Sequence, residues 1–224
     1  MRTCKKGADL LKLFITPGVP EPASTFVPSF LSLEEISTAV SEGARLGIPT
    51  AAHCIGGQGL KDCIDGGVDV IEHMYMAAEQ DVERLAASRC VVDLTSGIFL
   101  DPSREEFLSP ANALKVRLNR SRVRENVARI IKARLPFVLG TDAYHGFLYR
   151  EVGYAVELGA DPVTAIQGVT SRAARVCRLE DRIGKLENGM EADIIAVEGN
   201  PLEDVSRLSQ VGLVMKGGVV YRQP

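Results

Sequence analysis

The chain has 224 residues, of which 46% are hydrophobic and 25% are charged, and its formal net charge is -3. This composition is typical of a folded globular protein with a sizeable core and excludes a disordered chain. The small net charge and the interspersed signs argue against nucleic acid or an anionic membrane surface as a partner.

The sequence also favours a cytoplasmic location. No apolar run reaches the roughly 18 residues that a membrane-spanning helix needs, and the first residues do not resemble a signal peptide. The five cysteines are scattered and contain no CxxC pair, so we expect buried thiols in a reducing compartment.

The first predicted elements are a strand and a helix. Residues 10–15 form an apolar run that ends before proline and glycine, which predicts a buried strand interrupted by Lys12. Ser32 and Glu35 have the spacing of a capping box, and the helix that they begin ends at Gly47.

Residues 48–73 then predict a strand–helix–strand unit with a histidine at the end of each strand. The strands are expected at 49–53 and 68–73, so they end at His53 and His73, and the intervening helix at 58–64. Because parallel strands converge at one rim, the two imidazoles are expected to face one cavity.

The remaining chain continues the alternation of strands and helices and then changes to a pattern of short strands and turns. Residues 96–110 are expected to form a long loop, and the segment FVLGTDA predicts a strand that ends near Asp142. Beyond Gly184, short apolar runs separated by NG, GN and GG predict strands and turns. Helices are expected at 79–88, 111–134, 148–158 and 162–175.

These elements predict an α/β fold. About five strands are each followed by a helix, whereas a closed (β/α)8 barrel needs eight. We therefore expect a partial TIM-type barrel, corresponding to about strands 4 to 8, followed by a small β segment. The predicted domains are residues 1–183 for the barrel portion and 184–224 for the β segment.

Four polar residues are candidates for a metal site: Lys12, His53, His73 and Asp142. Imidazoles and a carboxylate suit Zn or a similar divalent ion. Simpler interpretations also exist, because strand-terminal histidines are often structural and a lysine can extend along apolar surface to water. Asp142 could likewise cap the following helix.

The segments GADLLKLFITPG, TAAHCIGG, GVDVIEHM and VLGTDA, in this order, resemble strands four, five, six and eight of the amidohydrolase superfamily. The similarity is greatest to its imidazolonepropionase-like and Xaa-Pro dipeptidase-like branch. The segments GKLENGMEADIIAVEGNPLED and VMKGGVVY resemble the return of such proteins to a composite β-sandwich.

This resemblance implies a site and a reaction. His53 and His73 match the metal ligands of strands five and six, and Lys12 matches a lysine that is carboxylated and bridges two metals. Asp142 matches an aspartate that binds metal and accepts a proton from the attacking water. The implied activity is metal-dependent hydrolysis of a C–N bond in a small amide, a dipeptide or a cyclic amide, with zinc or another divalent ion as cofactor.

One departure from the family pattern concerns the first strand. The family carries an HxH pair there, and this sequence contains no HxH. We therefore expect a fragment of a barrel that forms a homo-oligomer or is completed by an upstream barrel half, because an open barrel exposes sheet edges. The alternative is a non-catalytic pseudoenzyme or assembly subunit that retains the barrel remnant.

Overall fold

The structure is a computed structural model that describes residues 7–22, 24–142 and 145–223. The chain divides into two compact units, residues 1–136 and 137–224. This division lies at a different place from the predicted domain boundary at 183 and 184, which stays a prediction. Within the described residues, no helix is long and apolar enough to cross a membrane.

The first unit alternates strands and helices. Its elements are β1 (Leu11–Phe14), α1 (Leu33–Arg45), β2 (Thr50–Gly56), α2 (Gly57–Asp65), β3 (Val70–Met76), α3 (Glu79–Ala86), β4 (Val91–Leu94), α4 (Gly97–Leu100), a 3-10 helix (Pro102–Phe107) and α5 (Pro110–Lys132). Its strands pair in parallel, with Phe14 beside His53 and His53 beside Glu72. The chain therefore has the predicted α/β fold.

The second unit begins with β5 (Phe137–Leu139) and ends in a small antiparallel sheet. Its other elements are a 3-10 helix (His145–Phe147), α6 (Leu148–Glu157), α7 (Pro162–Gly168), α8 (Ser171–Val176), β6 (Ile194–Val197), a 3-10 helix (Val205–Ser209), β7 (Val211–Lys216) and β8 (Val219–Arg222). The order of strands is β1-β2-β3-β4 in the larger sheet within the first unit and β6-β7-β8 in the smaller sheet of the second unit.

Local sequence signals place the helix starts as predicted. The Ser32 hydroxyl accepts a hydrogen bond from the Glu35 amide, and the Glu35 carboxylate accepts one from the Ser32 amide at 2.8 Å. Asp161 is the N-cap of α7, and its carboxylate accepts a hydrogen bond from the Thr164 amide at 2.9 Å.

The helix predicted at 162–175 is two helices in the structure, α7 and α8, which are separated at Val169 and Thr170. Two further predicted features differ from the structure in the first unit. The first is the loop at residues 96–110, which instead forms α4 and a 3-10 helix. Four apolar or small residues of α4 are buried, and the Asp101 carboxylate accepts hydrogen bonds from the amide and hydroxyl of Ser103. Burial and this cap stabilise helical turns that a short sequence window does not reveal.

The second difference is the burial of β1. Its residues are alternately half-buried and exposed, and Ile15, just after the strand, is the buried residue. The reason is topological, since β1 is the edge strand of the larger sheet. The Lys12 side chain therefore reaches water and does not require a buried partner.

Candidate metal centre

The two histidines lie side by side on neighbouring strands of the first unit. The ring centroids of His53 and His73 are 4.4 Å apart, and the rings meet edge to face at 61°. Both side chains are buried. The strands continue for three residues beyond each histidine, to Gly56 and Met76, so the prediction that they end at the histidines was wrong.

The extension of β2 is explained by the residues that follow His53. Cys54 and Ile55 are buried apolar residues, and the Ile55 amide donates to the Thr16 hydroxyl at 2.9 Å. The extension of β3 is irregular, because His73 and Met74 have φ of 79° and 53°. Non-glycine residues in this region store roughly 1–3 kcal/mol of strain each, which surrounding contacts must offset.

His53 has a defined hydrogen-bond partner. Its Nε2 lies 3.1 Å from the carbonyl oxygen of Pro17, and a carbonyl oxygen only accepts. Nε2 therefore carries a proton, and in the neutral form of the ring the lone pair is on Nδ1. The Phe14 ring stacks on His53 with centroids 4.2 Å apart and planes 10° from parallel.

His73 is held through its other nitrogen. Its Nδ1 lies 2.7 Å from the Thr95 hydroxyl, and its Nε2 lies 3.8 Å from Glu72 Oε2. Burial lowers the pKa of His73 to about 3, and the nearby charges of His53 and Lys12 act in the same direction. The imidazole is therefore neutral at physiological pH, as a metal ligand must be.

Lys12 lies close to the two histidines, but its side chain is an ammonium group and not the carbamate that the family resemblance implies. Its ammonium donates to the carboxylate of Glu72, which is largely buried, while the lysine side chain is 47% exposed. An ammonium has no lone pair, so Lys12 cannot be a ligand in this state. Conversion of its amine to a carbamate would supply oxygen donors.

The donor set thus fits a divalent metal in part. In their neutral forms the two imidazoles are suitable ligands, and each has one nitrogen held by a protein oxygen, as is usual for metal-binding histidines. Among residues 7–22, 24–142 and 145–223, no group of three or more His, Cys, Asp or Glu side chains is arranged to hold a metal. A carbamate on Lys12 would supply a third ligand.

Asp142 belongs to the second unit and follows β5. It lies in a turn, is exposed, and has φ of 49°. The structure therefore brings Lys12, His53 and His73 together, while the predicted role of Asp142 beside them stays a prediction.

Three residues around the histidines were not identified from the sequence as site residues: Glu72, Thr95 and Phe14. Glu72 is a carboxylate inside an apolar strand directly before His73. A charged residue at such a position indicates a candidate site residue. Thr95 follows a strand at the same rim. The stacking of Phe14 on His53 depends on strand register, which the sequence does not reveal.

Comparison with known proteins gives a consistent result. The sequence profile of the Amidohydrolase family matches residues 3–221. Ochratoxinase from Aspergillus niger is 32% identical over 235 residues, which covers 98% of this chain and 48% of that protein. An imidazolonepropionase from Kosmotoga olearia is 23% identical over 100% of this chain and 51% of its own length.

Solved structures resemble the chain along nearly its whole length. A Xaa-Pro dipeptidase with bound methionine in its active site matches with a TM-score of 0.85 and 30% identity, over 98% of this chain and 56% of that one. Ochratoxinase from A. niger matches with a TM-score of 0.82 and 28% identity, over 99% and 52%. The chain spans about half the length of the curated relatives it matches. The predicted family resemblance is confirmed.

Proposed function

The chain belongs to the amidohydrolase family, and from this premise we propose that it forms part of a metal-dependent hydrolase that cleaves C–N bonds in small amides or dipeptides. The observation that carries the proposal is the pair of buried imidazoles, His53 and His73, whose centroids lie 4.4 Å apart on adjacent parallel strands. The relatives named above include an ochratoxinase and a Xaa-Pro dipeptidase, which supports an amide substrate.

The proposed ligands are Nδ1 of His53, Nε2 of His73 and a carbamate on Lys12. Zinc suits this donor set, and a second ion would need further ligands. A bound divalent ion supplies Lewis acidity, which polarises a carbonyl and lowers the pKa of water. The buried surroundings of the histidines strengthen such electrostatic effects.

Carbamate formation at Lys12 requires its neutral amine and carbon dioxide. The nitrogen forms a bond to the carbon of carbon dioxide and loses a proton, which leaves a carboxylate-bearing side chain. The Glu72 carboxylate opposes this reaction, because it attracts the ammonium group of Lys12 and would repel the negatively charged carbamate.

Asp142 is the proposed proton carrier. Its carboxylate would accept the proton of the attacking water and deliver it to the leaving nitrogen, as a general base and then a general acid. Its exposed position after β5 is compatible with this task.

We also propose that another polypeptide segment completes the barrel beside β1. This strand is the edge of the larger sheet, and a cleft of about 510 Å³ lies between it and α1, lined in part by Leu11, Leu13 and Leu46. The relatives are about twice as long as this chain, so they contain further chain that could supply such a segment. The family resemblance implies that this segment is the upstream half of the barrel.

The experiment that tests the metal site is elemental analysis of the full chain purified with zinc and bicarbonate. We expect about one equivalent of zinc in the wild type. The zinc should be lost when His53→Ala and His73→Ala are combined, and retained in His145→Ala, which removes the third histidine.

Hydrolysis is tested separately with a panel of dipeptides and N-acyl amino acids, using Asp142→Asn as the inactive control. Zinc binding without hydrolysis in either this chain or its mixture with an amino-terminal barrel half would support the non-catalytic alternative. Absence of zinc from the wild type would overturn the metal proposal.

A further inference from the structure

Three buried side chains form a continuous hydrogen-bonded chain beside the candidate centre: His73, Thr95 and Tyr75. His73 Nδ1 lies 2.7 Å from the Thr95 hydroxyl oxygen, which lies 2.6 Å from the Tyr75 hydroxyl oxygen. The Tyr75 hydroxyl also lies 2.9 Å from the backbone carbonyl oxygen of Thr95 and 3.4 Å from His73 Nδ1. The order of donors along this chain decides which nitrogen of His73 carries its proton.

The donor order follows from the carbonyl. A backbone carbonyl oxygen only accepts, so the hydroxyl hydrogen of Tyr75 is directed to Thr95 O. The 2.6 Å contact between the two hydroxyls then requires the Thr95 hydroxyl to donate to the Tyr75 oxygen. With its hydrogen used there, Thr95 Oγ1 must accept from His73, and Nδ1 is the donor.

We infer that Tyr75 and Thr95 are positioning residues that hold His73 in its Nδ1–H tautomer and so leave the lone pair on Nε2, the atom proposed to bind metal. This inference rests on the proposed function for its biological meaning. The proton position itself is a property of the chain, which can be measured without any metal.

Packing keeps the Tyr75 hydroxyl in place. The Tyr75 ring meets Phe99 edge to face with centroids 4.5 Å apart, and the Asn126 amide donates to the Tyr75 carbonyl oxygen at 2.8 Å. Asn126 in turn accepts from Arg129 at 2.9 Å. These contacts connect β3 to α4 and α5, so the hydroxyl is held by rigid elements rather than by a loop.

The opposite donor order predicts a different tautomer. If Tyr75 donated to Thr95 Oγ1, the Thr95 hydroxyl would donate to His73 Nδ1, and the ring proton would lie on Nε2. Nε2 would then face Glu72 Oε2 at 3.8 Å as a donor and could not bind a metal. The two donor orders therefore place the ring proton of His73 on different nitrogens, and this difference can be measured.

The test is long-range ¹H–¹⁵N NMR of the histidine rings in the metal-free, uniformly ¹⁵N-labelled full chain at neutral pH. His73→Gln identifies the signals of His73 by their loss. We expect an Nδ1–H pattern in the wild type and in Thr95→Ser, which keeps the hydroxyl. Tyr75→Phe removes the acceptor of the Thr95 hydroxyl, so this hydroxyl should turn to donate to Nδ1 and the ring proton should move to Nε2.

An Nε2–H pattern in the wild type would overturn the inference. An unchanged pattern in Tyr75→Phe would overturn it as well. Should Tyr75→Phe not fold, Thr95→Val tests the same contact. It removes the 2.7 Å acceptor of Nδ1–H and leaves the Tyr75 hydroxyl at 3.4 Å, so the share of the Nδ1–H tautomer should fall. An unchanged share would overturn the inference.

Zinc affinity separates this inference from the proposed function. Competition with a chromophoric chelator should give a zinc Kd about 10–100-fold weaker for Tyr75→Phe and Thr95→Val than for the wild type, and near wild type for Thr95→Ser. A wild-type chain that binds no zinc but shows the expected tautomers would reject the proposed function and support the role of Tyr75 and Thr95.

Discussion

Lys12 on β1 and Glu72 on β3 form an ion pair that passes over the intervening strand β2. The pair lies beside His73, because Glu72 Oε2 is 3.8 Å from the Nε2 of that residue. Glu72 therefore connects the lysine that the family resemblance assigns to carbamate formation with one of the two candidate histidine ligands.

We predict that Glu72→Gln increases carbamate occupancy on Lys12 in the metal-free protein. The wild-type carboxylate stabilises the ammonium and would repel a carbamate. An ion pair this exposed is worth about 0.5–1 kcal/mol, equivalent to about two- to fivefold in occupancy. The measurement is ¹³C NMR with labelled bicarbonate, and Lys12→Gln should remove the signal. Equal occupancy in wild type and Glu72→Gln would contradict the competition.

The second prediction concerns pH. The pKa of His73 is lowered from 6.5 to about 3 on folding, so the unfolded state binds the extra proton between these values. Stability due to this group is present above about pH 6.5 and is lost as pH falls towards 3, at about 1.4 kcal/mol per pH unit.

Urea unfolding of the metal-free chain at pH 7.5, 5.5 and 4.5 measures this dependence, with the three pH values chosen to span the upper part of that window. The free energy of unfolding should fall more steeply in the wild type than in His73→Gln, which cannot titrate. Parallel curves for the two proteins would show that His73 is already protonated in the native state or is not buried.

The third prediction concerns Gly56, where β2 approaches β3. It has φ of 150°, and a Cβ there would lie 2.8 Å from the Cβ and the carbonyl oxygen of Met76. Gly56→Ala should lower the free energy of unfolding by roughly 1–3 kcal/mol more than Gly47→Ala. Gly47 has φ of 70° but nothing within 4 Å of the added Cβ, so it isolates the steric contribution. Similar losses in the two variants would mean that the strands separate easily at this rim.

The fourth prediction concerns self-association. Leu10 and Phe30 are 47% and 55% exposed near the edge strand β1, and the Phe30 amide donates to the Ile15 carbonyl oxygen at 2.8 Å. We expect the wild-type chain to associate with rising concentration, because exposed sheet edges and apolar groups favour pairing.

Light scattering after size exclusion should show less association for Leu10→Ser combined with Phe30→Ser. Leu118→Gln is the control, since Leu118 is 62% exposed on α5 in the same unit. A wild type that stays monomeric, or an equal effect of the control, would argue against β1 as the associating edge.

Much of the local structure could be predicted from the sequence. The capping box of Ser32 and Glu35 and the Asp161 cap with Pro162 are signals within four residues, and both helices begin where these signals lie. The ends of β2 and β3 could not be predicted as well, since each strand continues three residues beyond its histidine. Strand length depends on hydrogen bonds to neighbouring segments, such as that from Ile55 to Thr16.

The sequence by itself determined the α/β alternation, the family resemblance and the presence of Lys12, His53 and His73 as candidates, because these follow from periodicity, short-range signals and ordered motifs. Only the tertiary structure decided that Lys12 pairs with Glu72 and that His73 contacts Thr95, which lies 22 residues away. Strand register brings distant side chains into contact, and both the ion pair of Lys12 and the tautomer of His73 depend on these contacts.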